Sequence, residues 1–217
     1  MNQSYITYAE TNLSKLPDLS HLENIKMLDL SDNKLTEING ELLPPNLLYL
    51  KCINNRIMKI YNLPKKLKCL HFSYNLIKYM DNIPETLEYF IGDNNFLREL
   101  PKFSNKLIHL QVAHNQLRKI TKLSTSLHYL AFYNNQINKL PELPNKLTVI
   151  AGYNNYIKFM PYIPPSVSKI IMHNNLLCET CFKNNDKETI KQFNIIYKFN
   201  KTFYGQKIKN WYDNINK

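Results

Sequence analysis

The chain has 217 residues, 44% of them hydrophobic, and 28 lysines and arginines against 17 acidic residues give it a formal charge of +11. This length suits one domain with ample apolar material for a core, and no apolar run approaches the roughly 18 residues of a membrane span. The first ten residues lack the features of a secretory signal and the four cysteines are unevenly placed, so we expect a reduced, cytoplasmic setting in the producing or a host cell.

An asparagine recurs every 20 residues through most of the chain, and two earlier anchors precede the series at intervals of 22 residues. Around each anchor the apolar residues keep a fixed phase, L-x-x-L-x-L-x-x-N-x-L-x-x-L. About nine such units cover residues 1–178. The anchors are Thr11, Asn33, Asn55, Asn75, Asn95, Asn115, Asn135, Asn155 and Asn175.

The residues before each anchor alternate between apolar and polar, which predicts one short strand per unit. In one unit Leu110 and Val112 face inward, whereas His109 and Gln111 face outward. Each strand re-enters in the same direction after one circuit, so the stacked units predict a parallel sheet. A buried amide at the turn after the strand can bond neighbouring backbone groups, and we therefore interpret the anchors as a structural ladder without a catalytic role.

The return path of each unit is predicted to be extended. A circuit of 20 residues is too short for a full helix, and the paired prolines of the later units favour a polyproline-like segment. The two extra residues in the first units predict a slightly altered curvature there.

Gly92 and Gly152 occupy inward strand positions where other units have a larger residue. We expect Phe72 and Phe132, one repeat earlier, to fill the space, because protein cores are close-packed.

The pattern resembles the leucine-rich repeat. Units such as LPELPNKLTVIAGYNNYIKFMPYIPP are similar to the short 20-residue subclass known from bacterial effector proteins, and similar arrays occur in giant amoebal, mimivirus-like viruses. The resemblance implies an α/β-type horseshoe solenoid with a parallel sheet on its concave face and an extended convex side. The 25 lysines against 3 arginines, with abundant asparagine, also fit the codon bias of an AT-rich genome.

The period changes after Leu177. Residues 185–188 read as a capping box, and two later segments place apolar residues at helical spacing. Residues 179–217 are therefore predicted to form a helical cap over the open end of the solenoid. The alternative is a basic amphipathic helix that docks on a membrane or a second protein, since this tail has eight lysines against four acids.

Motifs for catalysis or metal binding are largely missing from the sequence. Cys178 and Cys181 have the gap of a zinc half-site, but no second pair completes it, and whether the two pair with each other is left open. The ligase chemistry of some bacterial effectors is not carried over, because neither cysteine begins their Cys-x-Asp arrangement. We predict no catalytic, cofactor-binding or metal-binding residues and no enzymatic activity.

The outward strand positions define a concave face with an unusual row of aromatic side chains, which supply contact area at low entropic cost. We predict that this face binds a protein or peptide, although cross-strand stacking that merely stabilises the sheet is the alternative. The predicted binding residues are Tyr49, Lys51, His71, Tyr89, Ile91, Asp93, His109, Gln111, Tyr129, Tyr133, Tyr153 and His173.

The positive charge raises nucleic acid as a rival partner. Most lysines lie outside the predicted strands, so charge alone predicts a weak, salt-sensitive attraction to nucleic acid or anionic surfaces without specificity. The sequence thus predicts a non-enzymatic protein-interaction module. An adaptor or host-directed effector that docks through its tail is the second hypothesis, and an array without a specific partner is the third. The partner and the oligomeric state are left open.

Overall fold

The computed structural model describes residues 4–177 and the strand Asn194–Ile195. Ten strands form one parallel sheet, and two further strands pair with each other on the return path. The strands are β1 Tyr5–Thr7, β2 Met27–Asp29, β3 Glu37–Asn39, β4 Tyr49–Lys51, β5 Lys59–Tyr61, β6 Cys69–His71, β7 Tyr89–Ile91, β8 His109–Gln111, β9 Tyr129–Ala131, β10 Val149–Ala151, β11 Lys169–Ile171 and β12 Asn194–Ile195.

The order of strands in the large sheet follows the chain, β1-β2-β4-β6-β7-β8-β9-β10-β11-β12. Every pair is parallel and in phase with the repeat, so that Leu50 lies opposite Leu70, which lies opposite Phe90. Equivalent residues of successive units therefore stand in columns. This parallel-sheet solenoid is the architecture that the sequence predicts.

One prediction of helix needs correction, and a second falls mostly outside the described residues. The α/β class is wrong for residues 4–177, which contain no α-helix and only one 3-10 turn, at Gly40–Leu42. A repeat of 20 to 22 residues is filled by one strand, one turn and an extended return segment, which leaves no room for a helix. Within the predicted helical cap, Asn194–Ile195 instead forms a strand that pairs with β11. The rest of that tail, including Cys178 and Cys181, lies outside the described residues.

The inward column of each strand builds a continuous core, in which Leu70, Phe90 and Leu110 have no exposed surface. The glycine positions are filled as the sequence predicts. A Cβ atom added to Gly92 would lie 2.2 Å from Cζ of Phe72, and one added to Gly152 would lie 2.1 Å from Cζ of Phe132. The phenylalanine rings thus occupy the volume that the glycines leave.

The anchor asparagines bridge successive turns. Asn115 is typical: its Oδ1 accepts from the backbone N–H of Leu97 at 2.9 Å, and its Nδ2 donates to the carbonyl of Gly92 at 2.9 Å. The same pattern runs from Asn33 to Asn175. At the first anchor, Thr11 contributes only a hydroxyl, which donates to the carbonyl of Tyr8 at 2.6 Å.

The longer early units differ on their convex side, where β3 and β5 pair. A Cβ atom on Gly40 would lie 2.0 Å from the carbonyl oxygen of Asn62, so glycine permits the two return paths to approach closely. This second sheet had no separate signal in the sequence.

Candidate functional site

The concave face consists of three columns of side chains, because the strands are in register. The first column contains Tyr5, Met27, Tyr49, Cys69, Tyr89, His109, Tyr129, Val149 and Lys169. The middle column contains Thr7, Asp29, Lys51, His71, Ile91, Gln111, Ala131, Ala151 and Ile171. The third column, two positions after each strand, contains Ser31, Ile53, Ser73, Asp93, Ala113, Tyr133, Tyr153 and His173.

Aromatic rings stack along two of these columns. In the first column, the rings of His109 and Tyr129 are parallel, with centroids 4.3 Å apart and 3° between their planes. In the third, Tyr133 stacks on Tyr153 at 4.4 Å, and Tyr153 stacks on His173 at 4.6 Å. Such pairs stabilise neighbouring strands. Cross-strand stacking, which the sequence raised as the alternative to binding, is therefore present on this face. A role in binding is compatible with it.

The start of the first column is the most open part of this face. Tyr5, Met27 and Tyr49 are 40 to 45% exposed, although all three are large and mainly apolar. With Cys69 and His71 they line a shallow hollow of about 550 Å³. This hollow offers a partner apolar surface that no neighbouring repeat covers within the described residues.

The predicted binding residues lie on the concave face and are at least partly exposed, with one exception. Asp93 is only 8% exposed, so the expectation of a solvent-facing carboxylate there is wrong. Its Oδ1 accepts from the backbone N–H of Ala113 at 2.6 Å, and its Oδ2 accepts from the amide of Gln111. The carboxylate is therefore drawn into the sheet.

Asp93 fills a role that serine fills in other units. The hydroxyl of Ser73 accepts from the N–H of Asp93 at 3.1 Å, and the hydroxyl of Ser31 accepts from the N–H of Ile53 at 3.2 Å. A short side-chain oxygen at this position bonds the next repeat. The role of this position could not be predicted from the sequence, because the residue type differs from one unit to the next.

Burial sets the ionisation of several groups on the face. It lowers the pKa of His71 and His109, so both imidazoles favour the neutral form. It also raises the pKa of Tyr129, keeping its hydroxyl protonated as a donor. Burial raises the pKa of the Cys69 thiol to about 11, and a thiol that stays protonated is a poor nucleophile.

One ion pair crosses the open end of the face. Nζ of Lys51 lies 3.1 Å from Oδ2 of Asp29 in the preceding repeat. Burial raises the pKa of Asp29, but hydrogen bonds from Ser31 and the charge of Lys51 outweigh this and lower it overall. In the described part of the face, the positive charge of Lys51 and the negative charge of Asp29 at this end are thus paired with each other.

A second, exposed ladder follows the rim beside the anchors. Nδ2 of Asn174 donates to Oδ1 of Asn154 at 2.7 Å, Asn154 bonds Asn134 at 2.5 Å, and Asn134 contacts the ring of His114. These rim residues have φ between 52° and 55°, a left-handed conformation that asparagine tolerates better than most residues. The recurring Asn-Asn doublet was the signal, but sequence analysis used only its second member.

The structure also bears on two general site types. Among residues 4–177 and 194–195, no group of three or more His, Cys, Asp or Glu side chains could hold a metal ion. No helix in this same part of the chain is long and apolar enough to span a membrane.

The fold has clear counterparts among solved structures. YopM from Yersinia enterocolitica WA-314 is 29% identical with a TM-score of 0.69, covering 71% of this chain and 34% of that protein. The Shigella effector LRR domain is 21% identical with a TM-score of 0.55, covering 84% of this chain and 74% of that one. The internalin inlF of Listeria monocytogenes is 20% identical with a TM-score of 0.62, covering 87% and 57%.

The in-register parallel strands and these likenesses together define the fold as a leucine-rich repeat solenoid, as the resemblance implied. The chain spans about a third of the length of the Yersinia enterocolitica protein, 34%. No protein-family model and no curated protein matches the chain.

Proposed function

We propose that this chain is a non-enzymatic interaction module that recognises a protein or peptide on its concave face. The observation that carries the proposal is the open start of the first column, where Tyr5, Met27 and Tyr49 expose apolar surface around a hollow of about 550 Å³. Exposed contiguous apolar surface is characteristic of binding sites. Solved structures with the same fold include a Shigella effector domain and an internalin, which supports a binding role for the repeats.

The backbone of the face supports recognition without rearrangement. In the large sheet, every strand between the end strands β1 and β12 pairs with a neighbour on each side, and from Asn33 onward the turns are fixed by anchor asparagines such as Asn115. A preformed surface loses little conformational entropy on association. The neutral imidazoles of His71 and His109 and the tyrosine hydroxyls add hydrogen-bonding groups with little net charge.

The test is affinity capture from a host-cell extract with the intact chain and with a variant in which Tyr49, Tyr89, Tyr129 and Tyr133 are changed to Ala. The matched control changes four exposed tyrosines outside the columns of the concave face, Tyr61, Tyr79, Tyr156 and Tyr162. We expect the first variant to lose the captured protein and the control to retain it. Equal capture by both variants would remove the concave face from the proposal.

Loss of stacking must be separated from loss of contact. Changing Tyr129 and Tyr133 to Phe keeps the rings that stack on His109 and Tyr153, but removes both hydroxyls. Circular dichroism and thermal melting of every variant establish that the fold is retained. If the Phe variant binds like the wild type while the Ala variant does not, the rings rather than the hydroxyls carry the contact.

The proposal also concerns the source of the chain. The 25 lysines, 30 asparagines and short repeat length support a source among giant amoebal viruses or bacteria with effector-like arrays. The rival mode, docking through the basic tail of residues 179–217, concerns residues outside the described part. If this mode operates, deleting the tail should detach the partner while the remaining array still melts cooperatively, whereas the loss of a cap should lower the Tm or cause aggregation.

A further inference from the structure

Arginine is rare in this chain, with three residues against 25 lysines, and two of the three meet at one place. Arg98 and Arg118 occupy equivalent positions of consecutive repeats. With Gln116 and Gln136 they line a depression of about 320 Å³ on the flank that follows the anchor asparagines, away from the concave face.

The backbone beneath this depression is rigid. Leu97 and Leu117 have no exposed surface, and their N–H groups donate to the anchors Asn115 and Asn135 at 2.9 Å. The N–H of Gln116 donates to the carbonyl of Leu97, also at 2.9 Å. Because Leu97 and Leu117 point inward, the residues that follow them, Arg98 and Arg118, point outward from a rigid backbone.

The two guanidinium groups lack an anionic partner in the described part of the chain. Among residues 4–177, no carboxylate lies within 4.0 Å of either group, and Arg98 has only a 3.3 Å hydrogen bond from Nη1 to the hydroxyl of Tyr79. Glu99, the adjacent acid in the sequence, forms no ion pair there. Equivalent or adjacent positions on this flank carry further cations, Lys78, Lys119, Lys139 and Lys158.

We propose that this depression is a site for a phosphate monoester group. A guanidinium presents five N–H donors in a planar fork, and each glutamine amide adds two more. A phosphate monoester offers three terminal oxygens and a charge of about −1.5 to −2, whereas a carboxylate offers two oxygens and one charge. Two arginines and two glutamines lining one depression supply enough donors for the richer acceptor. Lysines, the common cation of this chain, would supply point charges without that geometry.

The experiment titrates the intact chain with free O-phosphoserine and with a phosphoserine peptide, using the unphosphorylated peptide as reference and isothermal calorimetry near physiological salt. One variant, R98Q/R118Q, removes both forks, and a second, R98K/R118K, keeps the charge but not the forks. The matched control, R56Q/K146Q, removes two cations outside the depression, including the third arginine. Thermal melting verifies that all three variants fold.

We expect R98Q/R118Q to weaken phosphate binding about tenfold or more, and R98K/R118K to weaken it about fivefold, because bidentate contacts are lost. The control should stay within about twofold, since screening leaves little long-range effect near physiological salt. Tighter binding of the phosphopeptide than of free O-phosphoserine would identify the source as a phosphorylated protein, and the reverse order would identify it as a small phosphate monoester. Both orders retain the site.

Three results would overturn the proposal. Equal losses in R98Q/R118Q and R56Q/K146Q would reduce the effect to net charge. Unchanged affinity in R98K/R118K would show that the forks are irrelevant. Absence of saturable binding to either phosphate probe, or stronger binding of single-stranded RNA than of both monoester probes, would exclude a monoester site. None of these outcomes bears on the concave face.

Discussion

The packing of Phe72 against Gly92 makes a quantitative prediction about stability. The Cβ of an alanine at position 92 would lie 2.2 Å from Cζ, 2.6 Å from Cε2 and 2.9 Å from Cε1 of Phe72. The ring cannot simply swing aside, because it is fully buried and packs edge-on against Phe90 with centroids 5.0 Å apart. Overpacking of this kind costs about 1 to 3 kcal/mol, and we expect G92A to fall in the upper half of that range.

The partner substitution reveals whether the contact is the cause. F72L alone should destabilise through lost packing, but it also shortens the side chain that blocks position 92. In the double variant F72L/G92A, the added methyl group occupies space that the ring vacated. The double-mutant cycle should therefore give a favourable coupling of about 1 to 2 kcal/mol.

Equilibrium unfolding in urea measures these values, with circular dichroism and tyrosine fluorescence followed together to verify a two-state transition. A cost of about 2 kcal/mol corresponds to a fall in Tm of roughly 4 to 8 °C for a chain of this size. The second pair, Phe132 and Gly152, provides an internal replicate. If G92A costs less than about 0.5 kcal/mol and the cycle is additive, the explanation of the inward glycines is refuted.

Three further predictions concern the ladders and the histidines. N135A should lower the free energy of unfolding in urea by about 2 to 4 kcal/mol, because the N–H of Leu117 and the carbonyl of Val112 lose a buried partner. N134A, on the exposed rim, should lower it by only about 1 kcal/mol. Similar costs for the two variants would contradict the structural role of the anchor ladder. Y74N should raise stability by about 0.5 to 1 kcal/mol, since Tyr74 has a φ of 58° and is 58% exposed, and a lower Tm would show that its ring is needed. Burial lowers the pKa of His71 and His109 from the ordinary value of 6.5, so these histidines take up protons more readily in the unfolded chain than in the folded one. The free energy of unfolding should therefore fall as the pH drops from about 6.5 towards the lowered pKa values of the folded chain. Urea midpoints across this range should show a shallower slope for H71Q/H109Q, and an identical slope would count against the assignment.

The sequence predicted what the repeat itself determines. A strict interval of 20 residues with alternating apolar positions leaves few alternatives to an in-phase parallel stack, and a glycine opposite a phenylalanine one interval earlier predicts their packing. Features that depend on one unit were not predictable. The β3–β5 pair requires the close approach at Gly40, and the inward turn of Asp93 depends on the position of the N–H of Ala113.

The candidate site was predictable in position but not in character. Alternation along the strands placed tyrosines and histidines on one face, yet it did not show which rings would pair with each other. Ring planes depend on side-chain torsions and on the spacing of neighbouring strands, which a one-dimensional pattern does not contain. The parallel stack of Tyr133 on Tyr153, 4.4 Å apart, therefore emerged only in three dimensions.

Stacking changes which part of the face is available to a partner. The flat surface of Tyr153 is engaged on both sides, by Tyr133 and by His173, so a partner meets mainly ring edges and the hydroxyl there. Tyr49 is 40% exposed and stacks on no other ring within residues 4–177, and beside it Met27 is 45% exposed. Burial of apolar area drives most association. We therefore expect Y49A to weaken capture of a concave-face partner more than Y153A, whereas Y153A should lower the Tm more. The opposite ranking in both measurements would mean that the stacked column is the contact surface and the open hollow is not.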